Sequence, residues 1–251
     1  MKIAVCIKRV PSTETTVRVA ADGKTLDSAG VEYILSPFDE IALEEGLKLK
    51  EKLGTGEVTT FSFGTAETTT TLRTCLAMGA DKGILVKDDK ASTREPFIVA
   101  SALATALKES GFDIIWCGKQ AVDNDNAQVG TMLARLLNIP FIGLVTKFEL
   151  KDQTATVHRE VDGGSEILEV KLPAVFSAQK GLNEPRYPSL KGIMAAKKKP
   201  IDEKVPQLAN ASMETVKLEY PPSRPSGRVV GKGAECVPEV LKLLHEETKL
   251  I

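Results

Sequence analysis

The chain has 251 residues, 42% of them apolar, and 33 basic against 34 acidic side chains leave a net charge of -1. That length suits one large domain or a domain with an appendage, and the near-neutral balance excludes a general attraction to nucleic acid or to an anionic membrane. No apolar run approaches the ~18 residues of a membrane-spanning helix. Four cysteines, Cys6, Cys75, Cys117 and Cys236, lie far apart without CxxC spacing, which points to reduced thiols in a cytosol-like compartment and not to a disulfide frame.

Residues 2–7 (KIAVCI) form a short β-rich apolar run that opens a sheet, and Lys8-Arg9-Val10-Pro11 ends it. Residues 17–19 read as a brief edge strand before the Ala21-Asp22-Gly23 turn. Ser36-Pro37-Phe38-Asp39 is a helix start, with Ser36 as N-cap, Pro37 in the first position and Asp39 placed as in a capping box. Phe38, Ala42, Gly46, Leu49 and Leu53 then line one face up to Gly54. Residues 57–63 are a second strand, Gly64 leads into a helix through Met78, and residues 82–86 are a third strand. Residues 96–107 are helical with Phe97, Ala100, Leu103, Ala104 and Leu107 inward, and residues 113–117 are a fourth strand closed by Gly118. Val129, Met132, Leu133, Leu136 and Leu137 follow at helical spacing until Asn138-Ile139-Pro140 stops them. With Asp125 as N-cap, the amides of Asn126, Ala127 and Gln128 lack intrahelical partners and are free for an anion.

Strands alternating with helices at this spacing predict an α/β fold, Rossmann-like, with a mostly parallel sheet and helices on both faces. The loops after the first, second and fourth strands then share one edge, where such sheets bind nucleotides. From Leu144 the period changes to two: residues 145–150, 154–160 and 167–172 predict an antiparallel extension, and residues 173–176 a last core strand. Beyond Gly181 about fifty residues rich in Pro and Lys show neither period, and only residues 236–245 look helical again. The expected division is an α/β domain over 1–182, a loop over 183–200, and a C-terminal arm and helix over 201–251.

The chemistry is sparse. The loop at Gly118 is neither GxGxxG nor GxxxxGK[ST], no Ser lies in GxSxG, and the two histidines sit in no ligand pattern, so no catalytic set emerges. On pattern alone the joint over 118–129 is as readily an ordinary strand-helix connection as a nucleotide site, because Asp123 and Asp125 would repel a phosphate if they faced it. Glu160 stands at a strand end beside a glycine turn, equally a solvated hairpin tip or a partner contact. Leu190, in RYPSLKGIM ahead of Lys197-Lys198-Lys199, is either a leucine tucked back onto the surface or an exposed anchor rimmed by bases.

Six blocks, KIAVCIKRV, SPFDEIALEE, TLRTCLAMGAD, GKQAVDNDNAQVG, HREVDGGSE with LPAVFSA, and NEPRYPSLKGIMAAKKK, occur in this order over nearly the whole chain. In them the sequence closely resembles the small (beta) subunits of electron transfer flavoprotein. That resemblance implies a heterodimer with an alpha subunit that holds FAD, and a structural AMP in this subunit. The implied AMP pocket comprises Cys6, Ser36, Pro37, Phe38, Asp39, Phe63 and the loop Gly118, Lys119, Gln120, Ala121, Val122, Asp123, Asn124, Asp125, Asn126, Ala127, Gln128 and Val129, with Phe38 also near the partner's flavin. Val129 replaces a threonine of many relatives, which leaves only its backbone amide for a phosphate. Tyr187, Leu190, Ile193 and Met194 fall on the implied docking loop for flavoprotein dehydrogenases such as acyl-CoA dehydrogenases, and Glu160 on an acid that pairs with the mobile FAD domain. Electron transfer flavoprotein-ubiquinone oxidoreductase is the implied acceptor. The resemblance thus implies an electron carrier in fatty acid oxidation without catalytic residues of its own, or alternatively a bifurcating form with a second FAD in this crevice. The N-terminus carries no presequence, which predicts a bacterial cytoplasmic protein, or a mitochondrial matrix protein after processing.

Overall fold

A computed structural model describes residues 1–224 and 226–251, which fall into two units, 1–218 and 219–251. In the first unit the chain runs β1 (Lys2–Cys6), β2 (Arg9–Pro11), β3 (Tyr33–Leu35), α1 (Pro37–Leu53), β4 (Glu57–Gly64), α2 (Thr68–Met78), β5 (Lys82–Lys87), α3 (Pro96–Lys108), β6 (Ile114–Gly118) and α4 (Val129–Leu137). It continues through β7 (Phe141–Lys151), β8 (Thr154–Val161), β9 (Gly164–Lys171), β10 (Ala174–Ala178), α5 (Leu190–Ala196) and β11 (Ile201–Lys204). The second unit holds a 3-10 turn, Ala234–Cys236, and α6 (Val237–Glu246), and none of its described residues is buried.

Nine strands form one sheet in the order β11-β5-β4-β1-β6-β10-β7-β8-β9. Every pair from β11 to β7 is parallel, and β7-β8-β9 is the antiparallel extension the period-two pattern predicts. The expected α/β class and parallel core hold. Strand order reverses at β1, with β4 on one side and β6 on the other, so the crevice of an open parallel sheet lies over their C-terminal ends.

Alternation along the strands explains the layers. Ile3, Val5, Val58, Leu85, Ile114, Trp116 and Phe176 point to the side covered by α1 and α2, while Ala4, Cys6, Phe61, Val86, Ile115, Cys117 and Val175 point to the side of α3 and α4. Most of these runs buried on both faces are apolar, as central strands require, and the buried hydroxyls of β4 are paired, Thr60 with Lys82 O and Ser62 with Ile7 O. Trp116, Phe148 and Phe176 pack with ring centroids 5.2 Å apart and join the parallel core to the extension.

Several expectations are corrected. Residues 17–19 form no strand, only one bridge from Val19 to Leu26, because the Asp22 carboxylate accepts from the amides of Lys24 and Thr25 and tightens the turn; β2 pairs with β3 instead. Leu53 and Phe97, assigned to inward faces, are exposed, whereas Glu44 and Glu45 of α1 are buried because residues 183–186 cover that side. The tract after Gly181 is not structureless. Ser189 caps α5, accepting from Gly192 N at 3.0 Å, and β11 extends the sheet where Gly83 leaves room for Ile201, whose Cγ1 would lie 3.2 Å from a Cβ there. Cys6, Cys75 and Cys117 are buried free thiols, as expected.

Phe176 is fully buried at the junction of the two sheet regions. Phe176→Ala is expected to cost ~3 to 5 kcal/mol in urea unfolding, with both regions losing stability together. A loss below ~1 kcal/mol would show that the junction repacks.

Candidate functional site

The C-terminal edge over β1, β4 and β6 gathers the predicted residues. Two chain ends arrive there in register, with Cys6 opposite Cys117. Gly118 then meets the N-terminus of α1 so closely that a Cβ would collide with the Asp39 carboxylate and stand 2.8 Å from Phe38 Cβ. Only glycine permits that approach.

Asp39 uses the approach. Its carboxylate accepts from Lys8 N at 2.8 Å and from Gly118 N at 2.9 Å, tying the exits of β1 and β6 to one helix. The expected capping box therefore does not form: Asp39 faces the strand ends, and the buried Ser36 hydroxyl has no partner among the described residues. Burial pushes the Asp39 carboxyl from its ordinary 3.8 up to about 7, while the two amides and the Lys8 ammonium pull it back.

Asp125 does not cap a helix. The helix begins at Val129 after Gln128, and Asp125 and Ala127 both take left-handed backbone, each at φ 51°. A non-glycine φ in this region is uncommon and for Ala127 lacks even the side-chain compensation open to aspartate. Residues 123–128 are exposed, so their amides line a loop above the strand ends and do not continue a helix. Lys8 Nζ binds Asp123 at 2.6 Å, and Gln120 Nε2 donates to Asp125 Oδ1 at 2.7 Å. The two acids that pattern alone set against an anion are thus paired with neighbours. Lys119 Nζ stands 5.0 Å from the centre of the Phe38 ring at the mouth.

Cys6 and Phe63 are buried in the α3 and α4 layer and offer the crevice little side-chain surface. A hydrogen bond with Cys6 and burial raise the Cys117 thiol well above the usual range. Glu160, on β8, accepts from Gln179 Nε2 at 2.7 Å, just after β10.

The remaining predicted residues lie elsewhere. Tyr187, Leu190, Ile193 and Met194 are 95%, 84%, 44% and 63% exposed, on and before α5. Their segment is held at both ends by residues that sequence reasoning missed. Arg186 binds Glu44 and Glu51, Asn183 donates to Ile41 O and Glu45, and Arg73 donates to Ala196 O and Lys199 O at 2.6 Å. Lys199 Nζ in return caps α2 through Leu76 O and Ala80 O at 3.0 and 2.6 Å. The available signal was Glu44 and Glu51, seven apart and so on one face of a helix.

The electron transfer flavoprotein domain model matches residues 24–208. Over 251 aligned residues the chain is 41% identical to "Electron transfer flavoprotein subunit beta" of Syntrophomonas wolfei, covering all of this chain and 98% of that protein. The chain belongs to the electron transfer flavoprotein family, among its beta subunits. Relatives of the same name in Bradyrhizobium diazoefficiens and Bacillus subtilis are 42% and 39% identical, with complete coverage of both chains in each case. A mitochondrial relative from Oryza sativa is 38% identical over the full length of both. A beta subunit implies an alpha subunit as partner and a part in flavin-based electron transport. No helix among the described residues is long and apolar enough to cross a membrane.

Asp39 makes the crevice titrate. The unfolded chain releases this proton near pH 4 and the folded chain keeps it to about 7, so between these values the folded state binds more protons and stability falls as pH rises. Asp39→Asn removes that slope. The stability of wild type relative to the variant is expected to fall from pH 4.5 to 7, by at most about 1.4 kcal/mol per pH unit, and to level off above. Parallel urea-unfolding curves across the range would exclude it.

Proposed function

We propose that this beta subunit holds one AMP in the crevice over β1 and β6, supports the FAD of its alpha subunit, and docks flavoprotein dehydrogenases through α5. The partner's FAD supplies the redox chemistry; this chain contributes binding and orientation and no catalytic group. The observation that carries the reading is the exposed apolar set Tyr187, Leu190, Ile193 and Met194 on a segment tied to α1 and α2 by buried or half-buried ions. An apolar stripe held out to solvent by polar clips has no use within the chain and fits a partner surface. Leu190 stands beside Lys191, with Lys197 and Lys198 at the end of the helix, which suits an apolar pocket with an acidic rim.

Support for a nucleotide comes from the loop 118–129. Within it the Asp125 amide donates to Ala121 O and the Asn126 amide to Asn124 Oδ1, so the amides that follow, at the start of α4, are the ones that suit phosphate oxygens, and the neutralised Asp123 removes the repulsion. The unpartnered Ser36 hydroxyl at the start of α1 fits a further polar contact. Phe38 at the mouth suits the edge of the partner's flavin, and Glu160 suits a cation of its mobile domain. Electrons then pass to electron transfer flavoprotein-ubiquinone oxidoreductase, in a bacterial cytoplasm or a mitochondrial matrix. In this reading residues 1–182 hold the nucleotide, 183–200 recognise the donor, and 201–251 wrap the alpha subunit.

Denaturing the purified heterodimer and identifying the released nucleotides tests the crevice. One FAD and one AMP are expected; two FAD without AMP would replace the reading with the bifurcating form. Leu190→Ala is expected to lower turnover with an acyl-CoA dehydrogenase about tenfold while flavin content stays complete, since a buried leucine side chain contributes ~1.5 to 3 kcal/mol. Unchanged donor kinetics would remove the docking role.

A further inference from the structure

The densest ionic contact of the first unit lies under residues 183–200, at the end where the chain enters the apolar stripe. Arg186 donates from its backbone N–H and Nε to Glu44 Oε2 at 3.2 and 2.8 Å, and from Nη2 to Glu44 Oε1 at 2.9 Å. Its Nη1 and Nη2 also reach Glu51 Oε1 and Oε2 at 2.5 and 3.0 Å. Glu44 and Glu51 stand two turns apart on α1, and a planar guanidinium can span both where a single ammonium cannot. The Glu44 side chain is only 6% exposed, so this cation is what makes its buried charge tolerable.

Between Arg186 and α5 lie three residues, Tyr187, Pro188 and Ser189. Tyr187 and Leu190 are almost wholly exposed, so burial within the chain does not fix them. Pro188 restricts its own φ and Ser189 caps the helix; Arg73 holds the far end of α5 to α2, and Arg186 fixes the end by which the chain enters Tyr187 and Leu190. A segment ordered before encounter loses little freedom on binding, which raises affinity without altering the step that follows.

We propose that Arg186 is a positioning residue for donor docking, presenting Tyr187 and Leu190 through its fork onto Glu44 and Glu51. This inference rests on the docking reading given above. It predicts a division of labour in which Leu190 touches the donor and Arg186 acts only through it.

The test uses the intact heterodimer, with an acyl-CoA dehydrogenase as electron donor. Arg186→Lys keeps a cation beside Glu44 and loses the fork. It is expected to raise the KM for the heterodimer about fivefold to tenfold, with kcat and flavin content unchanged. In a Leu190→Ala background the same substitution is expected to add less than about twofold, because the group it positions is gone. If Leu190→Ala has no effect, the docking reading itself falls. If Leu190→Ala weakens docking but Arg186→Lys is neutral, lowers kcat, or multiplies fully with Leu190→Ala, docking stands and the positioning role is overturned. Should Arg186→Lys fail to assemble, Glu51→Gln removes half of the fork while Glu44 stays paired. A smaller rise in KM with the same dependence on Leu190 supports the proposal, and a neutral Glu51→Gln overturns it.

Discussion

The first turn of α1 touches the last residue of β6, and the candidate crevice depends on that contact. Because Gly118 has no Cβ, Asp39 comes within hydrogen-bonding distance of two strand exits at once and joins the amides of Lys8 and Gly118. The loops after β1 and β6 are thereby fixed to a helix and not merely to each other. Two charge-assisted bonds offset the cost of burying the carboxyl only in part, which is why burial leaves it titrating near neutrality. The same placement sets Phe38 at the mouth beneath Lys119.

α1 also carries the second surface. Its Gly46 lies so close to the sheet that a Cβ would stand 3.3 Å from Ile3 and Val5, while Glu44, Glu45 and Glu51 hold residues 183–186. A helix of 17 residues is about 25 Å long, and it links the proposed nucleotide crevice at its N-terminus to the proposed docking segment along its flank. A burial pattern of this kind, apolar toward the sheet and acidic yet buried toward a later segment, reads as amphipathic in sequence and is only completed by tertiary contact.

How far the sequence could be read follows from the range of each interaction. The parallel core was legible because strands buried on two faces are short apolar runs and their helices keep a 3.6 period. The positions at the crevice were legible too, since Gly118 and Ser36-Pro37 are local signals. The left-handed turns at Asp125 and Ala127 were not: no glycine marks them, and an aspartate before a helical period reads first as a cap. Nor was the partnership of Lys8 with Asp123, or of Arg186 with Glu44, because each joins residues more than a hundred positions apart. β11 was hidden by its composition. Ile201-Asp202-Glu203-Lys204 resembles a solvated run, and as an edge strand it pairs through its backbone and through ions to Lys82 and Lys87.

A docking surface made of one helix turn and a few apolar side chains has a physical logic. In the proposed docking, burial of Leu190 would stabilise a complex by ~1.5 to 3 kcal/mol, and each 1.4 kcal/mol is a factor of about ten in the dissociation constant. Such a contact selects a partner and still releases it quickly, which a carrier that must leave one protein for another requires. A floppy segment would give part of that small gain back on ordering. The ions that clip residues 183–200 to α1 and α2 hold this segment ordered, so in the proposed docking affinity would stay modest without being lost to ordering.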